Sequence, residues 1–367
     1  MNRNAWLGLC SALAISVAAL TILYTPAKAG QTAASSPYKV LAPIQHGNLT
    51  VFPVIAVKTY DTHDFLTLDE GLSSGEVVVT EFGSRPMIRR RPRPTPWPYP
   101  SDGAQVNRLV LVNNSKRPLI LLAGEIVTGG KQDRVIGKDR LVPAESDPID
   151  LGVFCVEPGR WVATTSKFNT MSSAMAAPAV RGSAMAAKDQ QKVWSEVRRN
   201  QEQIVAGLAP SSTETVEVQS TSSYARVMDN QEVRKQVDSI AVPVETSYRS
   251  VMKELRDRNA VGVVVAVNGE FIWADIFAST ALLQKYWPKL VRSYAAEAIT
   301  TQARARNVDE RSAQAFLDKL EGTREVAETE PGLYRQTEIT GDGFKAFELT
   351  SLLPKTGFDL HIAKMAE

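Results

Sequence analysis

VGVVVAVNGEFIWAD, residues Val261 to Asp275, decides the fold class. Val261 to Val267 is β-branched and apolar, and Glu270 to Asp275 resumes the strand character. Asn268-Gly269 between them supplies the two positive-φ positions of a tight β-hairpin turn. Helical patterns flank this hairpin. Ser247 to Arg258 reads as an amphipathic helix. Leu282 to Ile299 reads as a second helix carrying Trp287, Leu290 and Tyr294, with Pro288 expected to kink or restart it. Val308 to Leu320 follows as a helix capped by Asn307 or Asp309, and Tyr334 to Thr340, Gly343 to Leu349 and Phe358 to Ile362 read as closing strands.

Upstream the chain is richer in strands. Asn48 to Val57, Gly75 to Phe82, Val106 to Asn113, Pro118 to Ala123 and Asp150 to Val156 all read as strands. The turn Asn114-Ser115-Lys116 separates the middle pair. Thr67-Leu68-Asp69-Glu70 opens a small helix with a capping box. The fold class is therefore α+β: a sheet-rich N-terminal part over 30–163, then a mixed helix/strand part over 226–367. Residues 164–225 lie between them. Here Thr164 to Ala187 and Ser211 to Ser223 read as mobile loops around a clear helix, Gln190 to Leu208.

The first 29 residues read as a signal peptide. Arg3 gives a positive start, Ala5 to Leu23 is mostly apolar, and Ala27-Lys28-Ala29 is a small-x-small cleavage site. The expected location is periplasmic or secreted, with no membrane span in the mature chain. The whole chain has 42 basic and 40 acidic residues. Removing Arg3 and Lys28 with the leader balances them, which argues against a nucleic-acid partner. Only Cys155 would remain of the two cysteines, so no internal disulfide can form.

Residues 85–100, RPMIRRRPRPTPWPYP, carry five arginines, and proline at every second position from Pro92 to Pro100. Such a segment is extended and polyproline-like. It is either a solvated loop or a contact for an acidic partner in the cell envelope.

Two motifs carry the candidate chemistry. In Gly124-Glu125-Ile126-Val127-Thr128-Gly129-Gly130-Lys131-Gln132-Asp133-Arg134, the Gly129-Gly130 backbone can turn its N–H groups on an anion. Lys131 and Arg134 add positive charge, and Gln132 both donates and accepts. In Cys155-Val156-Glu157-Pro158-Gly159-Arg160-Trp161, Glu157 is an acid/base candidate beside Arg160. The bland alternatives are a polar turn for the first motif and a structural ion pair for Glu157 and Arg160. Cys155 reads as a small buried hydrophobe. Neither motif holds a histidine, and His46, His63 and His361 are distant in sequence. No resident cofactor or metal is expected. Glu125, Asp133 and Glu157 form only a weak oxygen-ligand set. Catalytic candidates are thus Glu125 and Glu157. Ligand-binding candidates are Gly129, Gly130, Lys131, Gln132, Arg134 and Arg160.

These two motifs resemble the domain family named for its association with ADP-ribosylglycohydrolases and rhodanese–phosphatase-superfamily proteins. Gly124-Glu125, Gly129 to Val135 and Cys155 to Trp161 match its paired signatures, and Gln190-Gln191-Lys192-Val193-Trp194 looks like its later helix. The hairpin and helix near 261–298 are similar as well, whereas the arginine-proline segment is unlike the usual short connection. The resemblance implies an association with ADP-ribose or NAD-derived metabolism and no defined reaction. It points to a small anionic ligand of nucleotide-sugar or ADP-ribose type, bound and hydrolysed, or else to a non-enzymatic envelope module.

Overall fold

The Val261–Asp275 hairpin forms as its sequence dictates, within the largest sheet. Strands Asn259–Val267 and Glu270–Phe277 pair antiparallel, with Asn268 at φ 53° and Gly269 at φ 75° in the turn. The structure, a computed structural model, describes residues 36–83, 105–171, 174–254, 259–304, 306–330 and 332–367. Residues 1–29, read as a signal peptide, and the arginine-proline segment 85–100 lie outside them. Residues Pro37–Glu367 cluster as one unit.

The hairpin sits inside a nine-stranded antiparallel sheet. Leu49–Ala56 and Tyr38–Val40 extend it on one side, with Ile44–His46 also paired to Leu49–Ala56. Asp359–Ala366, Phe344–Ser351, Tyr334–Gly341 and Gly322–Glu330 extend it on the other. The first strands of the unit and its last ones therefore share one sheet. Helices Gln231–Glu254 and Thr280–Ile299 cover that sheet, burying Val244, Trp287 and Leu290 in one core with Val263 and Val265.

A six-stranded sheet holds both motifs. Its order is Phe168–Thr170, Ile126–Gly129, Arg134–Ile136, Ile149–Cys155, Arg108–Asn113 and Val77–Glu81. Leu119–Leu121 does not fold back on Arg108–Asn113 across the Asn114 turn. It joins a separate three-stranded sheet with Arg140–Val142 and, in parallel, Leu66–Thr67. Asn113 explains the break: its side-chain amide donates to the Arg117 and Pro143 carbonyls, which ties the turn to a different loop.

The structure corrects the two loop expectations in the middle of the chain. Ser211–Ser223 contains a helix, Thr213–Ser220, because the Ser212 hydroxyl accepts from the Thr215 N–H as an N-cap and Val218 is buried. Ala174 to Gly182 is core rather than loop. Met175, Ala176, Ala177 and Val180 are fully buried, since small side chains let the backbone pass close between packed elements. A π-helical turn, Ser183–Ala187, follows directly. The amphipathic pattern near 247–258 is the end of the longer helix Gln231–Glu254, which runs through Pro243. Helix Thr280–Ile299 is likewise continuous through Pro288.

Candidate functional site

The two motifs are neighbours in space because their strands are neighbours in the sheet. Cys155 lies opposite Arg134, and Val127 opposite Arg134 on the other side. The turn at Gly129-Gly130 uses φ of 122° and 51°. A Cβ at Gly130 would come within 2.3 Å of the Phe168 ring, so the turn needs glycine for space as well as angle. Its N–H groups are already occupied. Gly129 donates to Asp133 Oδ1 (3.0 Å), Gly130 to Thr165 Oγ1 (3.1 Å) and Lys131 to Glu81 Oε1 (2.6 Å). The cradle expected to hold a foreign anion is filled by oxygens of the chain itself.

The second motif closes over the first. Glu157 Oε2 accepts from the Asp133 N–H (3.0 Å) and from Arg160 Nη2 (2.5 Å). Arg160 Nη1 also donates to the Gly130 and Val162 carbonyls. Asp133 Oδ2 accepts from Ser223 Oγ (2.8 Å), and Gln132 Nε2 donates to the Glu157 carbonyl (3.1 Å). Burial, then the charge of Glu157, raises the Asp133 pKa. The hydrogen bond from Arg160 to Glu157 raises that of the guanidinium. Lys131 stands apart, its ammonium 4.9 Å from the Trp161 ring centroid. Arg134 is fully buried; its Nε donates to the Val106 carbonyl (2.7 Å), and burial lowers its pKa. Cys155 is a core residue whose thiol burial pushes upward, as befits an unreactive sulfur.

Glu125 belongs elsewhere. Its Oε2 accepts from the Leu122 N–H and its Oε1 meets Lys289 Nζ at 2.9 Å, while Lys289 also reaches Asp69 Oδ2 at 2.8 Å. Burial raises the Glu125 pKa despite the ammonium. For Lys289 the two carboxylates outweigh burial, so it stays charged. Glu125 and Glu157 therefore serve two separate networks, and Glu125 does not join Asp133 and Glu157 as a metal set.

Sequence reading did not find a third network. His361 is fully buried, with Nδ1 2.5 Å from Asp139 Oδ2 and Nε2 3.0 Å from Asp275 Oδ1. Arg181 grips Asp275 through two 2.8 Å bonds, and the Tyr294 hydroxyl donates to the same carboxylate. With a carboxylate at each ring nitrogen, His361 must donate from both, which makes it an imidazolium. Burial opposes that charge, but the two aspartates prevail and raise its pKa. Arg181 and His361 then balance Asp139 and Asp275. The network ties Ala123, whose N–H donates to Asp139, to the large sheet and to the buried Ala174–Gly182 segment. The Arg181 side chain also leaves no room for a Cβ at Gly124.

One of several open spaces lies at the other end of the motif strands. A cavity of about 380 Å³ is bounded by Gly137-Lys138, just after the first motif, and by Gly152-Val153-Phe154, just before Cys155. Met185, Lys188, Glu338 and Phe347 form the opposite wall, with Asn107 and Gln336 supplying amides. Burial, together with the charge of Arg140, lowers the Lys138 pKa. Lys188 ends the π-helical turn at φ 52° and pairs with Glu338 at 2.7 Å. Cations, amides and an apolar surface meet here, which is the composition of a small-molecule pocket.

No curated protein and no solved structure matches this chain. What does match is the family whose signatures the two motifs carry: over residues 37–363 the chain fits ARPP-1, the ARG and Rhodanese-Phosphatase-superfamily-associated Protein domain, and it belongs to that family.

Proposed function

We propose that this chain is an exported binding domain for a small anionic ligand of nucleotide-sugar or ADP-ribose type, and that the ligand seat is the cavity between Phe154 and Phe347. The observation that carries this reading is the lining of the cavity. Lys138 and Lys188 supply positive charge, Asn107 and Gln336 supply amides, and Phe154, Met185 and Phe347 supply an apolar surface. A cavity of about 380 Å³ is within the range that small ligands occupy. The family association with ADP-ribosylglycohydrolases supports the ligand class, and the N-terminal leader supports export. The two motifs act as scaffold in this reading. Glu125 and Glu157 are committed to Lys289 and Arg160, so binding rather than hydrolysis is the activity proposed.

Gly152 gives the test. It lines the cavity, and a Cβ built there meets nothing within 4 Å, so the backbone at this position has room for a side chain to start into the cavity. In a thermal-shift series with ADP-ribose and nucleotide sugars, the wild type gains melting temperature and Gly152→Trp loses that gain while keeping its unliganded melting point. Equal gains in both proteins would remove the cavity as the seat.

A further inference from the structure

Lys188 is an unusual residue for a cavity wall. It adopts left-handed backbone, φ 52°, which is uncommon for a residue with a Cβ. It does so at the end of a π-helical turn, a feature frequent at functional sites. Its ammonium pairs with Glu338 Oε2 at 2.7 Å, yet the lysine side chain remains 57% exposed whereas that of Glu338 is only 14% exposed. A pair so open on the cation side costs little to break. The carboxylate is the more enclosed member and has a second partner: Lys345 Nζ lies 3.6 Å from Glu338 Oε1. Lys345 lines a different cavity, on the far side of the π-helical turn, together with Lys192 and Arg199.

We infer that Lys188 is the ligand's anion clamp and works by exchanging partners, leaving Glu338 for a phosphoryl group in the cavity while Lys345 stays on Glu338. This rests on the cavity being the ligand seat. In the free protein Glu338 holds the clamp at the rim, and only a ligand with a full negative charge gains a new ion pair when Lys188 leaves the carboxylate. The pocket thereby selects phosphoryl-bearing molecules over their neutral counterparts. A phosphoryl group near Lys138 would also offset the repulsion between the cations there. Lys345 serves as a positioning residue, because it keeps the Glu338 charge compensated once Lys188 has moved.

Isothermal titration with ADP-ribose, with adenosine as the uncharged control, tests this on the wild type, Lys188→Met, Glu338→Gln and the double variant. Lys188→Met weakens ADP-ribose at least tenfold. Glu338→Gln tightens it several-fold by freeing the clamp, and that gain disappears in the double variant. The cycle separates a partner exchange from a general loss of negative charge, which would tighten binding whether or not Lys188 is present. Wild-type affinity in Lys188→Met, or a Glu338→Gln gain that persists in the double variant, overturns the clamp. If Gly152→Trp blocks ADP-ribose while Lys188→Met does not, only the clamp fails. If the wild type does not bind ADP-ribose, or binds adenosine equally well, the ligand class fails with it.

Discussion

His361 shows most clearly what a single residue does in this fold. Its two ring nitrogens face Asp139 and Asp275, partners 222 and 86 positions away in sequence. No local pattern announces such an arrangement, so the histidine stood in the sequence as one of three unconnected ones. The motif residues were more legible. Gly129, Gly130, Gln132, Asp133, Glu157 and Arg160 do gather, but composition could not say that the chain's own oxygens fill the glycine turn. Glu125 could not be separated from them by sequence, because Lys289, its partner, lies 164 positions away. The His361 network also makes a pH prediction. Its folded-state pKa is raised above the unfolded value of about 6.5. The stabilisation is therefore complete below that unfolded value and is lost as pH rises through the folded one. Urea unfolding of the wild type should show stability falling as pH rises above about 6.5. In His361→Gln that slope should flatten, and an unchanged slope would show that the imidazolium contributes nothing.

Among the elements, those with strong local signals were readable and those fixed by distant packing were not. The Asn268-Gly269 hairpin and the Thr67 capping box are visible in a few residues, and both form. Thr213–Ser220 was hidden in a Ser/Thr-rich stretch, because a cap and one buried valine outweigh poor intrinsic propensity. Pro243 concealed the front of helix Gln231–Glu254, whose apolar face buries Val233, Val237, Ala241 and Val244 and so carries the helix through the proline. Gly322–Glu330 carries no apolar alternation to mark it as a strand: Gly322 to Val326 is exposed, and Val326 and Ala327 are its only apolar side chains. Helix Thr280–Ile299 illustrates how such elements are docked. Lys289 on it reaches both Glu125 and Asp69, joining the helix to the start of the first motif and to the short helix Leu68–Ser74. Lys289→Met leaves a buried carboxylate unpaired and should cost about 3–5 kcal/mol. Urea unfolding at neutral pH measures it; a loss below about 1 kcal/mol would show that the ammonium does not hold the helix in place.

Across the whole molecule, the α+β class and the family were both within reach of the sequence, while the place of the cavity proposed as the ligand seat was not. The cavity is lined from Asn107 through Phe347, and its walls come from the six-stranded sheet, the π-helical turn and the nine-stranded sheet. Each segment looks ordinary alone. The two motifs reach the cavity only indirectly, through strand Arg134–Ile136 that the first one opens and strand Ile149–Cys155 that the second one closes. The Gly129 N–H on Asp133, the Lys131 N–H on Glu81, the Asp133 N–H on Glu157 and the Ser223 hydroxyl on Asp133 tie the two motifs to each other and to their surroundings, which is the scaffold role proposed for them. The most direct test of that division of labour is a crystal structure of the protein soaked in ADP-ribose. The account predicts electron density between Phe154 and Phe347 with a phosphoryl oxygen on Lys188 Nζ. Density over Arg160 and Trp161, with the Glu157–Arg160 pair opened, would contradict it.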